Sequence, residues 1–229
     1  MPLMVLTILF CKGAIKMIIE QSTIKLTAVY NESKSMRYSL KRTWNDKLPS
    51  VTIIMSNAPK ANDITMGDLT SLLIQNNLSV LGYGSVTCVN LFSFMCQRLD
   101  LSGSIDELTD EENLQHILQS VQETDVTIVA IGSLTRTYKK VAVYENRLFE
   151  ALRNYQDKIH VLTAPDGSTG HHPLSAKLRQ LGSWKITPYI LLNLSPAIVD
   201  NVEVRSETPD SFMSSKRKKD DKKAIAPTT

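Results

Sequence analysis

The sequence predicts an α/β fold in which a mostly parallel central sheet carries helices on both faces, with an N-terminal antiparallel hairpin at the edge. Two observations lead there. Four short apolar runs rich in β-branched residues, VTIIM (Val51–Met55), SVTCVNLF (Ser85–Phe92), VTIVAIG (Val126–Gly132) and IHVLTA (Ile159–Ala164), recur along the chain. Such continuous runs mark strands buried on both faces. Helical patterns fall between them, and strands alternating with helices of this length imply right-handed crossovers and a mostly parallel sheet.

Ahead of these runs, IKLTAVYN (Ile24–Asn31) and RYSLKRTW (Arg37–Trp44) alternate apolar and polar residues around the polar turn NESKS, as a half-buried hairpin does. Helices are expected in MGDLTSLLIQNN from Met66, DEENLQHILQSVQE from Asp110 and VAVYENRLFEALRNYQ from Val141. The second opens with Thr109 followed three residues later by Glu112, a capping-box pairing just before its apolar stripe. No internal repeat stands out.

A chain of 229 residues, 42% hydrophobic and 21% charged, has enough apolar residues for one sizeable core, expected here as a single domain over 17–205. The net charge of +3 is concentrated in KRKKDDKK (Lys216 to Lys223), whose six basic and two acidic residues give a local +4 and leave the remainder near −1. The folded body is therefore close to neutral, and nucleic-acid affinity has to come from a local patch or from the basic tail, 206–229, which is expected to be disordered. Cys11, Cys88 and Cys96 are too few and too scattered for a disulfide framework or a zinc site, so no metal is expected and a reducing cytoplasm fits best. MPLMVLTILF is apolar for about ten residues, against the roughly 20 that span a bilayer, and lacks the leading basic residues of a signal peptide. No membrane anchor is read. Residues 1–16 are either an upstream start-site artefact or an extra edge segment.

In parallel sheets ligands gather where loops leave the carboxyl ends of the strands, and four such places carry polar groups or glycine: MSNAPKAND after the first run, Asn90 within the second, AIGS (Ala130–Ser133) in the third and APDGSTGHHPLSA after the fourth. Asn90, in an apolar strand, must have its amide satisfied, either by a loop backbone or by the edge of a pyrimidine, whose carbonyl and ring N–H complement it. Asn57 either supports the turn at Pro59 or positions a water. His171 and His172 either cap a loop or place an imidazole beside a developing anion. GxxxxGK[ST] and GxSxG patterns are absent, which leaves ATPase and serine-hydrolase readings without support. Gly82 and Gly84 in LGYGS are spaced as in a dinucleotide loop but precede their strand instead of following one.

RYSLKRTWNDKLPSVTIIMSNAPKAND, LGYGSVTCVNLFSF, TIVAIGS and HHPLSA together resemble the domain-of-unknown-function family numbered 1643, over roughly Met36 to Leu194. That family typically reads Asn-Pro-Ser-Thr-Ala-Asp where this chain has Asn57-Ala58-Pro59-Lys60-Ala61-Asn62, so the proline is displaced by one. More distantly, the order of motifs is similar to that of the uracil-DNA glycosylase superfamily, which implies a glycosylase-like three-layer sandwich. Carried over, the resemblance makes Asn57 the water-positioning residue, Asn90 the base reader, Ile131-Gly132 the strand-end pair, His172 the catalytic imidazole and Leu174 the duplex wedge. Ser175 stands where a phosphate contact comes from. HHPLS is one residue shorter than HPSPLS, so either histidine is a candidate for the active position, and Tyr83 and Phe92 are the candidates to stack on the base. Asn57, unlike an aspartate, can orient water but cannot deprotonate it.

The implied activity is recognition or excision of a flipped uracil or related pyrimidine in DNA by N-glycosidic hydrolysis, with no metal or nucleotide cofactor. Lys60, Lys177 and Arg179 flank the loops as phosphate contacts or as ordinary solvated charges. The implied partner is single- or double-stranded DNA, with a protein inhibitor or mobile-element partner as further candidates. Two alternatives stand beside it: a glycosylase-like binding module without turnover, favoured by Asn57 and the displaced Pro59, and an enzyme acting on a different or hypermodified base.

Overall fold

A computed structural model describes residues 18–60, 64–65, 67–101, 103–133 and 138–191, all within the unit Met1–Leu194. The expectations for residues 1–16, the tail 206–229, Cys11 and Asn62 lie outside the described residues. Seven strands form one sheet: β1 (Lys25–Tyr30), β2 (Arg37–Thr43), β3 (Ser50–Asn57), β4 (Ser85–Phe92), β5 (Val126–Val129), β6 (Ile159–Thr163) and β7 (Lys185–Pro188). Among the described residues three α-helices accompany it: α1 (Leu69–Val80), α2 (Glu111–Glu123) and α3 (Lys139–Leu152).

The strand order is β1-β2-β4-β3-β5-β6-β7. The expected parallel block is present, with β4, β3, β5 and β6 running in one direction. The expectation of a mostly parallel sheet is corrected, because the β1–β2, β2–β4 and β6–β7 pairings are antiparallel and the sheet is mixed. The hairpin does not merely stand at the edge: β2 joins the parallel block through β4, in the register Leu40↔Cys88 and Arg42↔Val86.

Both faces are covered. On one, Ile54, Val89, Val129 and Val161 meet Ile117 and Val121 of α2 and Leu148 and Leu152 of α3. Thr52 crosses into this layer, donating to the Ser120 carbonyl at 2.9 Å. On the other face, Ile53, Val86, Ile128 and Leu162 meet Ile74 and Leu78 of α1. No second described helix lies there. The irregular segment after β6 covers the rest with Leu178 and Trp184, both buried, and is pinned by the Gly182 N–H donating to Asn77 Oδ1 of α1 at 2.8 Å.

The caps fix where helices begin. In α2 the cap is Asp110, whose carboxylate accepts from the Asn113 N–H at 2.9 Å, not Thr109. Thr109 instead accepts from the Asn113 side chain at 3.0 Å. α1 starts three residues later than its apolar pattern because Asp68 accepts from the Ser71 N–H at 2.6 Å. Gly84 has a local reason to be glycine: a Cβ there would stand 1.8 Å from the Asn45 carbonyl oxygen, whereas Gly82 has a φ of +85° and open space around it, so close packing and backbone conformation account for the two glycines of the turn before β4. Among the described residues no helix is long and apolar enough to cross a membrane.

Candidate functional site at the carboxyl ends of the parallel strands

β3 leads through α1 to β4 on one side, whereas β5 leads through α3 to β6 on the other. A crevice therefore opens outside the carboxyl ends of β3 and β5, where strand connections diverge. The N-terminus of α1 faces this region because α1 follows β3. A cleft of about 180 Å³ lies here on the α1 face, walled by Leu40, Met55, Asn57, Pro59, His172 and Leu174. Arg37, Cys88, Asp68, Thr70, Ser71 and Gln97 complete its charged and polar lining. A smaller hollow of about 40 Å³ lies on the opposite face near Tyr144 and Asn113, with room for little more than a water.

Asn57 ends β3 where two loops are stitched together. Ala58 donates its N–H to the Phe92 carbonyl at 3.2 Å and accepts from the Cys96 N–H at 3.1 Å. The Asn57 side-chain amide stands 3.5 Å from the Cys96 carbonyl, and its Oδ1 accepts from Ser56 Oγ at 3.2 Å. It is half-buried and reaches the cleft.

The paired histidines have separate jobs. His172 begins a tight turn: its carbonyl accepts from the Ser175 N–H at 2.8 Å, with Pro173 at the second position, where its fixed φ suits such turns. His172 Nδ1 accepts from the Leu174 N–H at 3.1 Å, which assigns the ring proton to Nε2. Burial holds the imidazole below its ordinary 6.5, although Asp68 pulls the other way. At neutral pH His172 is thus an uncharged N–H donor in the cleft. His171 turns instead into its own loop, with Nε2 2.7 Å from Ser168 Oγ, and Ser168 is joined by Asp166 and by Lys177 at 3.0 Å. Lys177 also pairs with Asp166 at 2.6 Å and holds that carboxyl well below the usual carboxylate range.

Gly132, at the exit of β5, lets the histidine loop approach. Its φ is +82°, and a Cβ would lie 3.2 Å from His172 Cβ. Both facts exclude most side chains.

Asn90 is fully buried on β4, in register with Met55. Alternation along the strand puts its side chain on the same face as Cys88, which lines the cleft. Asn90 itself is not among the cleft's lining residues, and among the described residues neither its Nδ2 nor its Oδ1 has a hydrogen-bond partner. Its backbone carbonyl, by contrast, accepts from Asn113 at 3.0 Å.

The remaining candidates divide. Leu174 is half-buried in the cleft wall, and Arg179 Nε donates to its carbonyl at 2.7 Å. Ser175 contributes its backbone N–H to the turn. Lys60 is exposed after Pro59. Neither aromatic candidate lines the cleft. Tyr83 precedes β4 at the amino end of the sheet, where its carbonyl accepts from the Trp44 indole at 2.9 Å. Phe92 packs on the α2/α3 face, edge-on to Tyr144 with ring centroids 5.6 Å apart. Arg37, unremarkable in an alternating hairpin strand, is 3% exposed and lines the cleft. Among the described residues no cluster of three or more His, Cys, Asp or Glu could hold a metal ion.

The sequence profile of the family described as proteins of unknown function, DUF1643, matches residues 37–174. The chain belongs to this family. The DUF1643 region begins at Arg37 and ends at Leu174, both cleft residues, and encloses every side chain that lines the cleft. No curated protein and no solved structure matches the chain.

Proposed function

We propose that this DUF1643 protein is uracil-DNA glycosylase-like and recognises, and hydrolyses from its sugar, a flipped uracil or related pyrimidine. The observation that carries the reading is Asn90: a fully buried amide with both its donor and its acceptor unpaired, on the face of the sheet that the cleft occupies. Buried polar groups are almost always paired, so an amide open at both its donor and its acceptor supports a site that a ligand completes. A pyrimidine edge supplies an acceptor and a donor together.

The other two groups fit the same reaction. As the C1′–N1 bond of the nucleotide lengthens, its electron pair moves onto the base and reaches the carbonyl oxygen. The neutral His172 Nε2–H stabilises that oxygen by hydrogen bonding, as an oxyanion donor does. Asn57 orients a water toward C1′. The water oxygen becomes the new hydroxyl at C1′, its proton passes to solvent, and the departing base takes a proton from solvent. Asn57 contributes position without proton abstraction, so turnover rests on leaving-group stabilisation.

The test is a gel assay with single- and double-stranded oligonucleotides carrying one uracil, followed by alkaline cleavage, with Asn90→Ala and His172→Ala in parallel. Strand scission at uracil that both substitutions abolish is the expected result. No scission, with salt-sensitive DNA binding retained, would instead establish the second reading, a glycosylase-like binding module. That reading is favoured by Asn57, which cannot act as a general base, and by the absence of Phe, Tyr and Trp from the described residues that line the cleft.

A further inference from the structure

Two guanidinium groups are buried where no counterion among the described residues explains them. Arg37 is 3% exposed and Arg42 6%. Among the described residues Arg37 Nε and Arg42 Nε and Nη2 have no hydrogen-bond partner, and the ion pairs formed there include neither arginine. Both charges act on the thiol of Cys88 in the cleft wall, opposing the burial that pushes it up to about 11. An uncompensated buried cation is costly, and removing its partner is among the more destabilising changes a protein can suffer. Arg37 therefore marks a place where an anion belongs.

The position of Arg37 says which part of the cleft that is. It lines the cleft together with Thr70 and Ser71 of the first turn of α1, and the N-terminus of a twelve-residue helix carries partial positive charge. Asp68 is the one carboxylate in the lining and is engaged by the Ser71 N–H at 2.6 Å. With His172 neutral and Cys88 protonated, Arg37 and Arg42 outweigh Asp68. Arginine is also the side chain whose planar fork matches phosphate oxygens.

We propose that Arg37 and the first turn of α1 form a subsite for a phosphoryl group, so that the cleft takes a nucleotide by its phosphate as well as by its base. The pairing with a base at Asn90 rests on the function proposed above; the phosphoryl subsite stands on Arg37. A DNA phosphodiester and the phosphate of a free nucleotide share this chemistry.

Binding is measured at constant ionic strength with four probes: inorganic phosphate, deoxyuridine, deoxyuridine monophosphate and a short uracil-containing oligonucleotide. The full chain is compared with Arg37→Met and, to retain a cation in the core, Arg37→Lys. The parent should bind the monophosphate more tightly than deoxyuridine. Arg37→Met should weaken a phosphorylated probe by about tenfold or more, the loss of one charge-assisted contact, and leave deoxyuridine unchanged. Arg37→Lys should fall between. Ligand-free Arg37→Met should unfold no lower than the parent, because it discards an unpaired charge. Loss confined to the monophosphate identifies a free nucleotide as the source, and loss confined to the oligonucleotide identifies DNA. Equal affinity of the parent for deoxyuridine and its monophosphate, or phosphorylated probes indifferent to both substitutions, overturns the subsite. The uracil-excision assay separates the two ideas: no excision with an Arg37-dependent phosphate response leaves the subsite standing alone, whereas excision that needs Asn90 but ignores Arg37 removes only the subsite.

Discussion

Replacing Asn90 with valine removes two buried polar atoms that the ligand-free protein leaves unpaired. Each unsatisfied buried group costs about 1–3 kcal/mol, and the cost disappears when an apolar group of similar shape takes its place. Valine is also favoured in a strand, and β4 is buried along its whole length. Against this stands some overpacking beside Cys88 and Met55. The balance is a gain of about 2 kcal/mol, which for a domain of this size raises the midpoint of thermal unfolding by roughly 4–8 °C. The control is Asn113→Val on the opposite face. Its side-chain amide donates to the carbonyls of Asn90 and Leu91 and to Thr109 Oγ1, so the same substitution there should lower stability by about 1–3 kcal/mol. Calorimetric melting of the ligand-free variants reads both signs at once, and titration with deoxyuridine should show that Asn90→Val no longer binds. An Asn90→Val protein that unfolds several degrees below its parent would refute the reasoning, since its amide would then be a satisfied structural group.

His172→Ala should lower excision by about 10²–10³-fold, the usual loss for one oxyanion donor, with DNA binding retained in a filter assay. His171→Ala should cost far less, because that ring holds Ser168 within its own loop; equal losses from the two histidines would contradict the assignment. Since burial depresses the His172 pKa, protonation is disfavoured in the folded state. The stability it contributes is therefore fully present above about pH 6.5 and is lost as pH falls through the folded value, and activity should follow the same direction. Denaturant midpoints of parent and His172→Gln across that range test this: the parent's acid-side loss should be shallower in the variant. Gly132→Ala should destabilise by about 1–3 kcal/mol, from the positive φ and the 3.2 Å approach to His172, and should reduce excision along with it.

Much of the frame was legible because β-branched runs flanked by helical periodicity can only be parallel strands with crossovers, and β4 spans the residues of its run from Ser85 to Phe92. What periodicity could not convey was partnership. The hairpin reads as an edge from its alternation, yet nothing in RYSLKRTW says that β2 continues the sheet onto β4. Strand β7 left no signal: it is four residues, KITP, with polar ends and a proline. The strand-end rule points to Asn57, Asn90 and His172 because topology, not contact, puts them toward one end of the sheet. Tyr83 lies instead at the amino end of β4 and Phe92 on the α2/α3 face, since adjacency to a strand fixes neither which end a residue occupies nor which face. Arg37 could not be singled out in the same way, as an arginine in an alternating strand reads as solvated, yet it is buried and lines the cleft.

The distribution of unsatisfied polar atoms differs between the two faces of the sheet. On the α2 face, Thr52, Ser120 and Thr124 are fully enclosed in mutual bonds of 2.8–2.9 Å, and what is left open there is one atom each of Asn113 (Oδ1) and Thr127 (Oγ1), with Ser93 Oγ a further single atom just after β4. On the cleft face, an entire amide and parts of two guanidiniums are open together. If those were folding errors tolerated by a stable core, apolar replacements would be improvements with no functional consequence. If they form one binding surface, Asn90→Val and Arg37→Met should each be tolerated or stabilising alone, and each should abolish a different half of ligand recognition, base for the first and phosphate for the second. Stability and binding then move in opposite directions at both positions, which a purely structural role at either one cannot produce.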